Sequence, residues 1–248
     1  DQIIPFRHKG GQTVWMRCRG FAIRDTKGNA VRMLGTHTDI TAQKEAEFVL
    51  AERNKKLTAE VEALERLALY DPLTGLGNRS LFFTQLEQLI AVAARRQEEF
   101  AVLVLDLDGF KDINDRLGHS AGDKILKEFS TRLQPALRRS DQKFRVGGDE
   151  FAVLLQPLND GFDGAKIVAE KIARVVHEPM RVKSHECEIG VSIGIAVYPG
   201  HSTEANVLFN KADAAMYEAK THNQVCAGAS ESSATTVLRQ LRADFADR

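Results

Sequence analysis

Two acidic runs in this sequence are placed where carboxylates do chemistry. Asp106-Leu107-Asp108-Gly109-Phe110 follows directly on the uninterrupted apolar run Phe100 to Leu105, and Asp149-Glu150 follows Gly147-Gly148. Carboxylates at the end of an apolar strand are costly unless a positive charge neutralises them, and a divalent cation is the usual solution. A tight Gly turn joins adjacent antiparallel strands and leaves the flanking side chains at a sheet end. If both strands lie in one sheet, Asp106, Asp149 and Glu150 converge and offer hard oxygen ligands for Mg²⁺ (or Mn²⁺) beside a phosphate. Either acidic pair alone reads as solvated turn residues; the two together in one domain point to a site.

The elements that must position these residues follow from periodicity. Phe100 to Leu105 has the continuous apolar character of a strand buried on both faces. Phe144 to Leu155 reads as a strand pair broken at Gly147-Gly148, and Cys187 to Tyr198 as a third strand region. Ser80 to Arg96, Ala121 to Arg138, Ala165 to His177 and Glu204 to Lys220 have helical spacing. Alternating strands and helices over residues 71–228 predict an α/β (α+β) domain. Upstream, residues 1–40 alternate in strand fashion between turn signals at Lys9-Gly10-Gly11 and Asp25 to Asn29, a small antiparallel β-meander. Residues 41–70 are rich in Ala, Glu, Lys and Leu without Gly or Pro, as one long linker helix requires. Leu50, Leu57 and Leu64 recur every seven residues; as d positions they put Glu47, Asn54, Val61 and Ala68 at a. A single polar Asn at a fixes register and two-strandedness, so the pattern favours a parallel homodimer over a solitary amphipathic helix. Residues 229–248, a small polar stretch and then a charged segment, Val237 to Arg248, read as a linker toward a further domain.

Composition removes several function classes. With 248 residues, 34 Lys+Arg against 34 Asp+Glu and 43% hydrophobic residues, disordered, collagenous and membrane-spanning chains are excluded. The balanced charge argues against a broad nucleic-acid face, and the longest apolar run is far too short to cross a membrane. The widely spaced Cys18, Cys187 and Cys226 have no metal-ligand spacing and read as reduced thiols of a cytoplasmic protein. The chain starts without Met, as expected of a piece of a longer protein.

Six ordered motifs carry a resemblance to a known family: Asp71-Pro-Leu-Thr-Gly-Leu-Gly-Asn-Arg79, Asp106-x-Asp-x-Phe-Lys-x-x-Asn-Asp115, Gly118-His-x-x-Gly-Asp123, Arg145-x-Gly-Gly-Asp-Glu-Phe151, Ser192-x-Gly-x-Ala196 and Ala212-Asp-x-Ala-Met-Tyr-x-Ala-Lys220. In order and spacing they resemble the GGDEF diguanylate cyclases. The first forty residues, ending in Gly35-Thr-His-Thr-Asp-Ile-Thr41, resemble the C-terminal part of a PAS sensor domain. The resemblance implies a palm-like domain with a central, mostly antiparallel sheet flanked by helices. It implies condensation of two GTP into cyclic di-GMP with release of two pyrophosphates, in a dimer with one GTP per domain.

Carried over by position, Asp106, Asp149, Glu150 and the carbonyl of Leu107 would hold two Mg²⁺ per site, and Asp149 would accept the ribose 3′-hydroxyl proton. Asn114 and Asp123 would read guanine, with His119 beside them. Phe110, Lys111 and Lys220 would meet the phosphates. Arg138 and Asp141, five residues before the signature, would form a product-inhibition site for cyclic di-GMP. One departure stands out: the family usually continues after the Lys with x-x-Gly-Arg-Asn, and this chain reads Thr221-His222-Asn223-Gln224-Val225. Losing one charge-assisted phosphate contact costs about 1.5–3 kcal/mol of binding, unless Lys111 or Arg79 compensates. The expected function is a dimeric, product-inhibited cyclase under PAS control. The alternatives are a catalytically weak GTP or cyclic di-GMP binding module that regulates a downstream phosphodiesterase, or a dimerisation module with a vestigial site.

Overall fold

The computed structural model describes residues 1–158, 160–182 and 185–229. The chain falls into two compact units, Asp1–Glu65 and a second that begins at Arg66.

In the first unit, β1 (Gln2–Arg7), β2 (Thr13–Arg24) and β3 (Ala30–Asp39) form an antiparallel meander in that order. Its turns fall at the expected Gly10-Gly11 and at Asp25 to Asn29, where the Asp25 carboxylate accepts from the N–H groups of Lys27 and Asn29 at 2.8 and 2.9 Å. At the end of β3 the Asp39 carboxylate accepts from both the N–H (2.8 Å) and the hydroxyl (2.6 Å) of Thr41, which starts the long helix α1 (Thr41–Leu69). None of the 29 residues of α1 is buried, and Leu50, Leu57, Val61 and Leu64 are all at least half exposed.

In the second unit the elements run α2 (Arg79–Arg96), β4 (Phe100–Asp108), α3 (Phe110–Leu117), α4 (His119–Ala136), β5 (Gln142–Arg145), β6 (Glu150–Leu155), α5 (Gly161–Val176), β7 (Met180–Val182), β8 (His185–Cys187), β9 (Gly190–Tyr198), α6 (Ala205–Thr221) and β10 (Cys226–Gly228). Among the described residues the main sheet has the order β10-β9-β4-β6-β5, antiparallel except for β10 beside β9; β7 and β8 make a separate hairpin. The apolar strand is central and buried on both faces, as its composition requires. Ala101, Leu103, Leu105 and Leu107 enter a core with α4 and α5, while Phe100, Val102 and Val104 enter another with α2 and α6. Burying large apolar residues contributes about 1.5–3 kcal/mol each, so β4 is firmly held beside the acids.

Several sequence expectations shift. The strand does not stop at Leu105 but continues through Asp108, because Asp106 pairs with both β6 and β9 and Asp108 pairs with Gly190 of β9. The helix expected over Ala121 to Arg138 runs two residues further N-terminal and ends at Ala136, just after Pro135. Residues 110–117, given no element of their own in the sequence, form α3. The strand region Cys187 to Tyr198 divides into β8 and β9. The segment Val237 to Arg248 lies outside the described residues. The three cysteines are unpaired, and no helix among the described residues is long and apolar enough to cross a membrane.

Candidate active site

The acidic residues are assembled by strand pairing. Asp106 is the register partner of Glu150 on one side and of Ser192 on the other. The connection between β5 and β6 is longer than a two-residue Gly turn: Val146 to Asp149 bridge the strands, with the N–H groups of Val146 (3.0 Å) and Gly147 (3.2 Å) both donating to the Glu150 carbonyl. Asp149 therefore sits in the turn and Glu150 opens β6. The turn is pinned to β4 by the Leu107 N–H, which donates to the Asp149 carbonyl at 3.3 Å.

Arg145 braces the same turn from behind, a role the sequence did not reveal. Its guanidinium donates to the Gly148 carbonyl at 2.6 and 3.1 Å and to both oxygens of Asp71 at 3.1 Å. The Asp71 carboxylate in turn accepts from the N–H (2.8 Å) and hydroxyl (2.6 Å) of Thr74. Asn78 caps α2 by accepting from the Leu81 N–H at 3.0 Å, and its amide donates to the Ala68 carbonyl at 2.7 Å, in the last turn of α1. The first motif, Asp71 to Arg79, thus joins the end of α1 to the GGDE turn through one charged pair.

The acids are half-buried and crowded with like charge. Burial pushes Asp106 above the usual carboxylate range, and the nearby charges of Asp149 and Asp108 add to this, against the opposing Lys220. Burial likewise raises Glu150, with Asp213, Asp106 and Asp149 adding and Arg79 opposing. Asp213, in the Ala212 to Lys220 motif, is raised chiefly by burial and also by Asp106, again with Arg79 opposing. The sequence quoted Asp213 within a motif without giving it a part, and nothing in its spacing separates it from an ordinary helix acid. Lys220 donates to Asp106. Burial would lower the Lys220 ammonium, but the Asp106 bond and the surrounding carboxylates outweigh it and raise it. Among the described residues no three His, Cys, Asp or Glu side chains form a ready-made metal cage, and Lys220 neutralises Asp106. The donor set of Asp106, Glu150 and the Leu107 carbonyl, crowded with like charge and made of hard oxygens, fits Mg²⁺ or Mn²⁺.

The remaining expected residues fall into three places. Asn114 of α3 packs on Gly122 of α4, where an added Cβ would collide with the Asn114 Oδ1 and lie 3.0 Å from the Phe110 ring. Asn114, Phe110 and the neighbour of Asp123 therefore meet, with His119 and Asp123 exposed on the first turns of α4. The Asn114 Oδ1 is buried without a hydrogen-bond partner, which costs about 1–3 kcal/mol and suits a ligand N–H. Lys111 is exposed in the first turn of α3. Far along the sheet from these, Arg138 is exposed, but Asp141 is 8% exposed and its carboxylate accepts from the N–H groups of Arg138 (2.7 Å) and Gln156 (3.4 Å). Each Asp141 oxygen thus accepts one amide N–H and keeps a second lone pair. Arg79 lies over the rings of Phe83 and Phe209, with its guanidinium carbon 5.3 and 5.0 Å from their centroids.

A family model described as diguanylate cyclase, GGDEF domain, matches residues 68–226, and a PAS-fold model matches residues 1–37. The chain belongs to the GGDEF diguanylate cyclase family. Its GGDEF domain is 45% identical over 157 residues to the bifunctional diguanylate cyclase/cyclic di-GMP phosphodiesterase MucR of Pseudomonas aeruginosa, covering 63% of this chain and 23% of that one. The chain thus spans about a quarter of the length of that curated relative. Among solved structures, the GGDEF domain of PA1120 (TpbB or YfiN) from Pseudomonas aeruginosa superposes with a TM-score of 0.65 at 38% identity, over 68% of this chain and 99% of that one. The coiled coil and GGDEF domain of DgcB from Caulobacter crescentus, a complex with c-di-GMP, gives a TM-score of 0.65 at 27% identity, over 75% and 98% of the two chains.

Proposed function

We propose that this chain is a diguanylate cyclase that condenses two GTP into cyclic di-GMP and two pyrophosphates. The observation that carries the reading is the pairing of Asp106 with Glu150 across β4 and β6, with Asp149 held in the adjoining turn by Arg145 and Leu107. Asp149 takes the proton of the ribose 3′-hydroxyl, so that the resulting alkoxide attacks the α-phosphorus of the second GTP in line as pyrophosphate leaves. Asp106, Asp149, Glu150 and the Leu107 carbonyl would hold two Mg²⁺ (or Mn²⁺), which when bound supply neutralisation of phosphate charge and acidify the attacking hydroxyl. Asn114 and Asp123 accept from the N1 and N2 hydrogens of guanine and so reject adenine, whose N1 is an acceptor; His119 lines the same end. The first N–H groups of α3 at Phe110 and Lys111, and the ammonium of Lys220, receive the phosphates.

Each domain binds one GTP, so ring closure needs a homodimer. The exposed heptad row Leu50, Leu57 and Leu64, with Asn54 at a, supplies the parallel coiled coil over residues 41–70, and the PAS segment of residues 1–40 regulates it. Cyclic di-GMP inhibits at a site formed by Arg138 and Asp141.

The test is GTP with Mg²⁺ and purified protein, resolved by chromatography. One cyclic di-GMP per two pyrophosphates, and no product from ATP, is the expected outcome. GTP returned unchanged, or cut to GDP, would overturn the cyclase reading in favour of a nucleotide-binding regulatory module.

A further inference from the structure

A cavity of about 640 Å³ opens beside the acidic site, between the C-terminal half of α5 and the turn from α6 to β10. Asp108, Arg174, His177, Ser192, Lys220 and Gln224 are among its lining residues. Lys220 belongs to both places, since its ammonium is held by Asp106. On the floor, one oxygen of Asp108 accepts from the Ser192 hydroxyl at 2.8 Å. Arg174 lines the same cavity as Lys220 from a different helix, and it makes no hydrogen bond or ion pair with any described residue, although Glu170, one turn away, also lines the cavity. Its helix end is fixed: Arg132 donates to the carbonyls of Val175 (3.3 Å), Glu178 and Pro179 (3.0 Å). An uncommitted guanidinium on an anchored wall, lining with the Lys220 ammonium one cavity roomy enough for two phosphates, is suited to a polyphosphate that outcompetes the carboxylates of Asp108 and Glu170 for those cations. Gln224, a neutral residue, lines the same cavity and cannot serve as the cation there.

We propose that this cavity receives the terminal phosphates of the nucleoside triphosphate, and that Arg174 binds the outermost one, a substrate-positioning residue supplied by α5. The inference rests on the reading of the acidic site as the GTP site. Lys220 then spans the two, touching the metal-side carboxylate and the phosphate chain. The same chemistry would hold free pyrophosphate, which is also the reaction's leaving group.

The experiment measures equilibrium binding, with Mg²⁺ present, of a GTP analogue carrying a methylene in place of the α,β-bridging oxygen, of GDP and of inorganic pyrophosphate. The proteins are wild type, Arg174→Ala and Arg174→Lys. Arg174 is exposed and unpartnered, so both variants should fold, which thermal melting checks. Arg174→Ala is expected to weaken the triphosphate analogue about tenfold or more and GDP less than about twofold, with KM for GTP raised by the same factor and kcat nearly unchanged. Arg174→Lys should recover part of the loss. Pyrophosphate weakened in parallel means that the cavity holds leaving group as well as substrate; pyrophosphate unaffected means that it holds the tail of the intact nucleotide alone. Triphosphate and diphosphate weakened alike, or neither weakened, would overturn the inference, as would an effect on pyrophosphate only. A wild type that makes cyclic di-GMP while Arg174→Ala behaves identically sinks this inference alone; a wild type that binds the analogue but makes no product sinks the cyclase reading alone.

Discussion

The carboxamide oxygen of Asn114 is buried with no donor to meet it, and it rests on a position where only glycine fits. Gly122→Ala would put a methyl group onto that oxygen and force the Asn114 carboxamide to turn away from its proposed place against guanine. The expected outcome is at least about a tenfold loss of GTP affinity with melting temperature nearly unchanged, read by calorimetry; unchanged affinity would mean that Asn114 does not hold the base. Position 224 offers the converse test. Gln224→Arg adds a cation to the cavity that Lys220 already lines, and should tighten GTP by about tenfold, one charge-assisted hydrogen bond's worth; no gain would place the phosphates elsewhere. At this scale the sequence was legible wherever type and motif coincide, as at Asp106, Asp149 and Glu150. It was silent at Arg145, Asp71 and Asp213, whose parts depend on partners far away along the chain.

Between elements, the Asp71–Arg145 pair couples the end of α1 to the catalytic turn, and it is shielded from water, with side chains 17% and 13% exposed. Burial, the largest influence on Asp71, would raise its carboxyl, but the hydrogen bonds from Thr74 and Arg145 outweigh it and hold Asp71 below its ordinary value of 3.8. A group depressed by folding stabilises the native state fully above its unfolded value and loses that contribution as pH falls through its folded value. Asp71→Asn should therefore cost about 1.5–3 kcal/mol near neutrality and progressively less below about pH 4. Denaturant melts of both proteins across that range check it, and a difference that does not shrink on acidification would contradict the pair. A second element-level contact lies at Gly194, where an added Cβ would run into the backbone of Ala212 and Met216. Gly194→Ala should push α6 off β9, costing about 1–3 kcal/mol and carrying Lys220 out of reach of Asp106. The double-sided burial of β4 could be read from its unbroken apolar run. The helix α3 could not, because polar residues in Phe110 to Leu117 hide its short apolar face, and the length of the GGDE connection could not, because the bonds that close it come from the Glu150 carbonyl.

For the molecule as a whole, the chemistry proposed demands two domains, and α1 presents its heptad leucines to solvent throughout. Leu57→Asp would place a charge in that seam; sedimentation should find a monomer, and turnover should fall by well over tenfold, whereas a fully active monomer would refute the dimer requirement. Alternating elements and motif order made the architecture of this unit readable from the sequence, since both are local signals. That Arg174 lines the same cavity as Lys220 was not readable, because α5 and the end of α6 are brought to it only by folding. Asp149 is the proposed proton acceptor, so the decisive comparison is cyclic di-GMP formation from GTP and Mg²⁺ by wild type and Asp149→Ala, with a phosphodiesterase present to remove product as it forms and GTP binding measured in parallel. Product from wild type, none from the variant, and similar GTP affinity in both are predicted; product from Asp149→Ala at the wild-type rate would contradict the mechanism.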